Sequence, residues 1–430
     1  MGSTASVRSL RAPAAMAALA VAISLAATGI YVLLAERSQP SALAALERTV
    51  VDRATLPQAV PVRRVGGHLV VEAQLGGDDG SVPLILDTGA PTSISADLAD
   101  RVAGGREGQI ALSSVDGEDV MRDIVVVPHV RLGGAAFSDV GVVRTFMNID
   151  GPLGCVSRHG LIGASLMKEA VWQIDYAGGS RTIAPGVEGL DHVEGAIALP
   201  FTDASAASPS PILEIGVGEG RLRFLVDTGS DGWLAVHPED LAGVGVLVDP
   251  EGPAYWTQAS GSAGGFLARV LYGAADVALG DHVLEALPIA TIDALPPGLG
   301  SMGNAFLRHF VVTIDWPGWM LYLDPVALRP EPEVPVLARV AWRGTEAVVV
   351  SFVEGPAARE AGLVIGLPVL TLDGHDLTGG STDDPCALAL RDPADQFDMT
   401  VRGGRTVHVA PVEDFFRGPG LLAETGVPRP

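Results

Sequence analysis

Apolar positions along the chain fall into two regimes. The first is a single block: residues 12–35 contain no Asp, Glu, Lys or Arg. As a helix the block would reach about 36 Å, against a hydrocarbon core of about 30 Å. It predicts a transmembrane anchor behind a short cytoplasmic head, residues 1–11, that carries Arg8 and Arg11. The alternative is a cleaved signal and a secreted protein. A signal has a shorter apolar region and a small-x-small exit, whereas this block ends Leu33-Leu34-Ala35. A small head and a large remainder place the bulk outside the cytoplasm of a bacterial-type cell, periplasmic or extracellular. Arg37, Arg48 and Arg53 on the far side blunt the positive-inside count.

The second regime is short. Apolar runs at residues 69–75, 82–86, 123–127, 212–217, 222–226 and 266–272 are broken by Gly, Asp and Pro. That pattern predicts strands joined by turns. Helical periodicity is confined to residues 95–102 and 238–242. Residues 36–64 read as a linker, 185–211 as a Gly/Pro/Ser/Ala-rich connector, and 327–335 as a proline-stiffened linker. Further strand runs, 347–352 and 369–372, fall in a separate region, 336–415, before a tail, 416–430.

The strands are arranged in a repeat. Leu84-Ile85-Leu86-Asp87-Thr88-Gly89-Ala90 returns as Phe224-Leu225-Val226-Asp227-Thr228-Gly229-Ser230. Leu161-Ile162-Gly163 is matched by Ser301-Met302-Gly303, 76 residues after the Asp in both halves. Ile174-Asp175 is matched by Ile314-Asp315, with 88 residues between the Asp positions each time. Three markers in one register predict a duplicated lobe, residues 65–184 and 212–326, and a mainly β, bilobal fold.

Composition narrows the chemistry. The net charge of −23, from 51 acidic and 28 basic residues, opposes binding to a phosphate backbone and excludes nucleic acid as a partner. Cys155 and Cys386 are too few for a disulfide framework or a Cys-type zinc site, and they fall in different predicted domains. They read as independent buried thiols. The nine histidines form neither an HExxH nor a Cys/His cluster, so no metal and no cofactor is expected. Gly298-Leu299-Gly300-Ser301-Met302-Gly303 fits a dinucleotide fingerprint by letter, but it follows a proline-rich turn and no βαβ unit surrounds it. Asp175 and Asp315, each after an apolar run, read as turn formers.

A lone Asp-Thr-Gly is a common acidic turn. Two copies differ, because each follows an apolar strand able to hold a carboxylate in place. In these motifs the chain resembles the aspartic peptidases, pepsin-like and retroviral-like, over residues 65–325. That resemblance implies that the two carboxyls meet, with no side chain at Gly89 or Gly229 between them, and that two carboxyls about 3 Å apart share one proton. The resemblance implies that Asp87 and Asp227 are catalytic and that a water is activated between them. It implies interlocking hydroxyls from Thr88 and Thr228, and support for the loops from Gly163 and Gly303. It also implies a flap over a peptide or protein substrate. The candidate flaps are residues 110–123, turning at Val115-Asp116-Gly117-Glu118, and residues 256–266, tipped by Ser260-Gly261-Ser262-Ala263-Gly264-Gly265. No tyrosine marks the first flap, unlike the pepsin branch, and two flaps look more like a retroviral-type dimer fused into one chain.

Pro356-Ala357-Ala358, followed by Gly362-Leu363 and then Leu370-Thr371-Leu372-Asp373-Gly374, resembles the PDZ domain of bacterial envelope proteases. Such a domain binds a C-terminal peptide by strand addition. Here Gly366-Leu367-Pro368 stands where the family has Gly-Asp, and no carboxylate-binding loop is evident. A peptide-binding and a purely structural role both stay open. The chain reads as a membrane-tethered aspartic endopeptidase with a PDZ-like domain. The alternative is a noncatalytic envelope scaffold or sensor that retains the peptidase fold.

Overall fold

Strands dominate the computed structural model, which describes residues 38–77, 80–113, 119–145, 155–205, 208–261, 264–326, 330–378, 386 and 395–417. The candidate membrane segment, residues 12–35, lies outside them. Among the described residues no helix is long and apolar enough to cross a membrane.

The two repeats meet in a six-stranded antiparallel sheet. Its order is Gln58–Val65, Ser180–Ala184, Val171–Asp175, Phe310–Asp315, Met320–Pro325 and Ile197–Ser205, three strands from each half. At its centre Gln173 pairs with Thr313. These residues are 140 apart, the same offset as Asp87 and Asp227. Each is therefore the other's repeat partner, and the pair sits on the pseudo-twofold axis. Gln173 Nε2 donates to Thr313 Oγ1 at 2.9 Å. Asp175 Oδ1 accepts from the Gly178 N–H at 2.8 Å and Asp315 Oδ1 from the Gly318 N–H at 2.9 Å, so both carboxylates close turns.

This sheet corrects two readings. Residues 36–64 are not a linker: they hold the helix Pro40–Leu46 and the outer strand Gln58–Val65. Ala42, Ala45 and Leu46 are buried against Ile110, Ile124, Val126 and Val143. Residues 185–211 are not a bare connector either, because Ile197–Ser205 is the opposite outer strand and Ser208–Val217 begins in the same stretch. Prolines and serines hid these strands. Pro200, Pro209 and Pro211 break the apolar alternation without preventing pairing at a sheet edge.

Each lobe also carries a hairpin in the flap region. Arg106–Ser113 pairs with Asp119–Leu132, and Ala254–Gly261 pairs with Gly264–Leu279. The first tip, with Val115, Asp116 and Gly117, lies outside the described residues. In the second, Gly261 faces Gly264, Gly265 continues the strand, and Ser262 and Ala263 lie outside. Val125 and Val127 of the first hairpin face the main core, whereas Ile124 and Val126 face the helix Pro40–Leu46. That alternation is the period of two expected of a strand covered on both faces.

The carboxyl-terminal region has its own core around Val349, Met399, Val401 and Val409. The helix Pro356–Ala361 has proline in its first turn and ends on Gly362 in the left-handed region, φ +70°. One strand of this region, Glu346–Val353, pairs with Ala254–Gly261 and so continues the sheet of the second flap-like hairpin. Glu354 fixes the junction, accepting two bonds from Arg269 at 2.8 Å each and one from Trp256 Nε1. Phe415 and Phe416 pack on Tyr272 of the same hairpin.

The cysteines are not independent thiols. Cys155 and Cys386 form a disulfide, with Cα atoms 5.2 Å apart and 231 residues of separation. The domains that appear distant in sequence are adjacent in space, which no local pattern announces. The bridge ties the carboxyl-terminal region to the first lobe, while the strand pairing ties it to the second. Cys155→Ser or Cys386→Ser is expected to cost about 2–5 kcal/mol in urea denaturation, because the closed loop is long. An unchanged midpoint would mean that the bridge adds no hold on this region.

Candidate active site

Two buried strands deliver the two aspartates. Leu84 and Leu86, and Phe224 and Val226, are fully buried, so each strand end is fixed by the core around it. Asp87 closes the strand Ser81–Asp87, which runs parallel to Gly160–Gly163 with Ile85 opposite Leu161 and Asp87 opposite Gly163. In the second lobe Leu225 lies opposite Ser301, the same register shifted by 140 residues, and the Asp227 N–H donates to Met302 O at 3.0 Å.

The turns after the aspartates interlock. The Thr88 N–H donates to Thr228 Oγ1 at 3.1 Å and the Thr228 N–H to Thr88 Oγ1 at 3.0 Å. Each hydroxyl then donates across the axis, Thr88 Oγ1 to Val226 O and Thr228 Oγ1 to Leu86 O. Both threonines are 0% exposed. A buried polar group left unpaired is costly, so only the crossed arrangement satisfies all four bonds together.

Glycine is required where the loops meet. A Cβ on Gly89 would stand 2.6 Å from Asp227 Oδ1, and one on Gly229 would fall on the Asp87 carboxyl. Gly163 and Gly303 serve the same purpose one layer out, since a Cβ there would overlap the backbone at residues 90–92 and the Gly232 carbonyl. The structure thus brings Asp87, Thr88, Gly89, Asp227, Thr228, Gly229, Gly163 and Gly303 together.

Electrostatics follow from this packing. Each carboxylate accepts its own loop's amide, Gly89 N–H to Asp87 Oδ1 at 2.8 Å and Gly229 N–H to Asp227 Oδ1 at 2.9 Å. Each carboxyl lies against the other loop's glycine, so the two face each other across the axis. Burial pushes the Asp87 carboxyl well above its ordinary range, and the charge of Asp227 pushes it further. Burial raises Asp227 as well, opposed by the Gly229 N–H, the Asp87 side chain and the nearby His68. Two acids this close favour holding one proton between them. Among the described residues, no group of three or more His, Cys, Asp or Glu is arranged to hold a metal ion.

Residues 71–166 match the aspartyl protease family. No curated protein matches the chain. The matched stretch contains the first Asp-Thr-Gly, the first flap-like hairpin and Gly163. The second lobe lies beyond it but repeats its strand register.

Sequence reading missed three neighbours of the aspartates. His68, at the start of the strand His68–Leu75, has its Nδ1 buried without a hydrogen-bond partner. Tyr176 donates from its hydroxyl to Asn304 Oδ1 at 2.8 Å, and Asn304 Nδ2 donates to Thr228 O at 2.7 Å. A signal for Asn304 exists: it follows Gly303, where the first repeat has Ala164 after Gly163. No comparable signal marks His68.

The raised carboxyl of Asp87 carries a stability consequence. A group whose folded-state value is raised gives stability that is complete below the ordinary value of 3.8 and is lost as pH rises through the elevated one. Asp87→Asn removes that loss. The variant is expected to be more stable than wild type at neutral pH, with the advantage shrinking as pH falls toward about 4 and gone below it. Urea denaturation at both pH values tests this, and a constant difference would contradict it.

Proposed function

We propose that the protein is an aspartic endopeptidase that hydrolyses peptide bonds in extended segments. The observation that carries this reading is the pair of partly buried carboxyls held face to face in crossed Asp-Thr-Gly loops. One carboxyl, ionised, takes a proton from a water as the water oxygen bonds the scissile carbonyl carbon. The other gives its proton to the carbonyl oxygen, which leaves a gem-diol and no covalent adduct to the protein. On breakdown the first carboxyl passes its proton to the departing nitrogen as the C–N bond breaks, and the second recovers a proton from a gem-diol hydroxyl.

The two hairpins supply flaps on either side of the cleft. Their second strands expose Met121 and Leu267, 41% and 55% accessible, which suits contact with apolar side chains of a bound strand. We further propose that residues 12–35 tether the enzyme to the membrane, with its bulk extracytoplasmic. The carboxyl-terminal region is read as a PDZ-like domain that takes peptide ends or regulates the flap it is paired with.

Replacing either carboxyl, Asp87→Asn or Asp227→Asn, is expected to lower turnover of a peptide library by about a hundredfold or more. Wild-type activity should fall as pH rises through the elevated Asp87 value, because the proton donor is then lost. Full turnover in either variant would defeat the proposal. Peptide binding without cleavage, indifferent to both substitutions, would favour a noncatalytic scaffold.

A further inference from the structure

The two halves of the dyad are related by the repeat, yet their surroundings differ on one side only. Behind Asp227 runs an unbroken line of donors. The Tyr176 hydroxyl donates to Asn304 Oδ1 at 2.8 Å, Asn304 Nδ2 donates to Thr228 O at 2.7 Å, and the Gly229 N–H donates to Asp227 Oδ1 at 2.9 Å. Thr228 C=O and Gly229 N–H belong to one peptide group. The side-chain amide of Asn304 is likewise one conjugated unit, accepting at its oxygen and donating at its nitrogen. The dipoles therefore point the same way from the phenol to the carboxylate.

The orientation of Asn304 is fixed chemically. Thr228 O only accepts, so the amide nitrogen must face it, and the oxygen must then face Tyr176, whose hydroxyl can donate. Arg181 reinforces the start of the line. Its guanidinium lies 5.1 Å from the Tyr176 ring centroid, in a buried site that lowers it to about 10, so it stays charged at neutral pH and draws electron density from the phenol. Behind Asp87 the corresponding peptide group donates from the Gly89 N–H at 2.8 Å. At the repeat position of Asn304, however, stands Ala164, whose methyl has no proton to give.

We infer that Tyr176 and Asn304 form a relay that makes Asp227 the ionised member of the pair and leaves the shared proton on Asp87. Aligned hydrogen bonds polarise one another, so each bond upstream strengthens the Gly229 donor to the Asp227 carboxylate. The inference rests on the peptidase reading only for what the roles accomplish: Asp227 becomes the base that takes the proton from water, and Asp87 the acid that protonates the carbonyl. Tyr176 and Asn304 are positioning residues, since they act through the Thr228–Gly229 peptide. The charged and titratable groups facing Asp227 are Asp87, the His68 imidazole and the Tyr176 phenol. His68 works in the same direction as the relay and is unchanged by the substitutions below.

Two readouts on the full chain test this. Carboxyl-carbon NMR titration of aspartate-labelled protein, assigned with Asp87→Asn and Asp227→Asn, follows the dyad without requiring turnover. The acid limb of kcat/KM follows the same base in catalysis. Tyr176→Phe keeps the ring and removes only the first donor; Asn304→Ala gives the second lobe the residue of the first. Both are expected to move the Asp227 titration and the acid limb upward by about 0.2–0.5 pH unit, with KM for an extended peptide unchanged. Should Asn304→Ala fail to fold, Tyr176→Phe carries the test. An unmoved Asp227 titration in a folded variant, or a shift confined to Asp87, overturns the relay. A shifted titration in a protein that cleaves no peptide would sustain the relay while sinking the peptidase reading.

Discussion

Two carboxyl groups pressed together in a partly buried site resist ionising together, and everything around Asp87 and Asp227 answers to that restriction. Separated, each would be a partly buried acid that titrates on its own. Together they divide one proton, and their loops must hold them close without letting them relax apart. The crossed threonine bonds do this. Four buried hydrogen bonds, each worth about 0.5–1.5 kcal/mol, join the two loops through groups that have nowhere else to bond. Gly89 and Gly229 then allow an approach that any larger residue would block.

The six-stranded sheet beneath the loops gives this contact its geometry. It aligns the two halves about Gln173 and Thr313, so a displacement of one lobe is felt by three strands of the other. Near-symmetry has a chemical cost, however, because two identical carboxyls would compete equally for the proton. The break at Ala164 and Asn304, with Tyr176 behind it, is where a duplicated architecture acquires distinct acid and base sides.

The carboxyl-terminal region attaches at two points of different character. A covalent bridge holds it to the segment just before Gly160–Gly163, the strand beside Asp87. Edge pairing and the Glu354 cluster hold it to the second flap-like hairpin. The first hairpin has instead the helix Pro40–Leu46 behind it. The two flap-like hairpins are thus backed by unlike elements.

Much of this arrangement was legible beforehand. The apolar strands, the Asp-Thr-Gly turns and the 76-residue spacing are local or periodic features, written in side-chain alternation and in glycine where backbones crowd. They placed Asp87 and Asp227 at equivalent strand ends. The strands within 36–64 and 185–211 were not legible, because proline and serine at sheet edges erase the alternation while leaving pairing intact. The Cys155–Cys386 bridge and the Tyr176–Asn304 contact join residues more than a hundred positions apart. Neither residue type carries a sign of its partner, since such pairs exist only once sheet closure has brought their backbones within reach. Residue order settled which groups could do chemistry; the closing of the two lobes settled which of them touch.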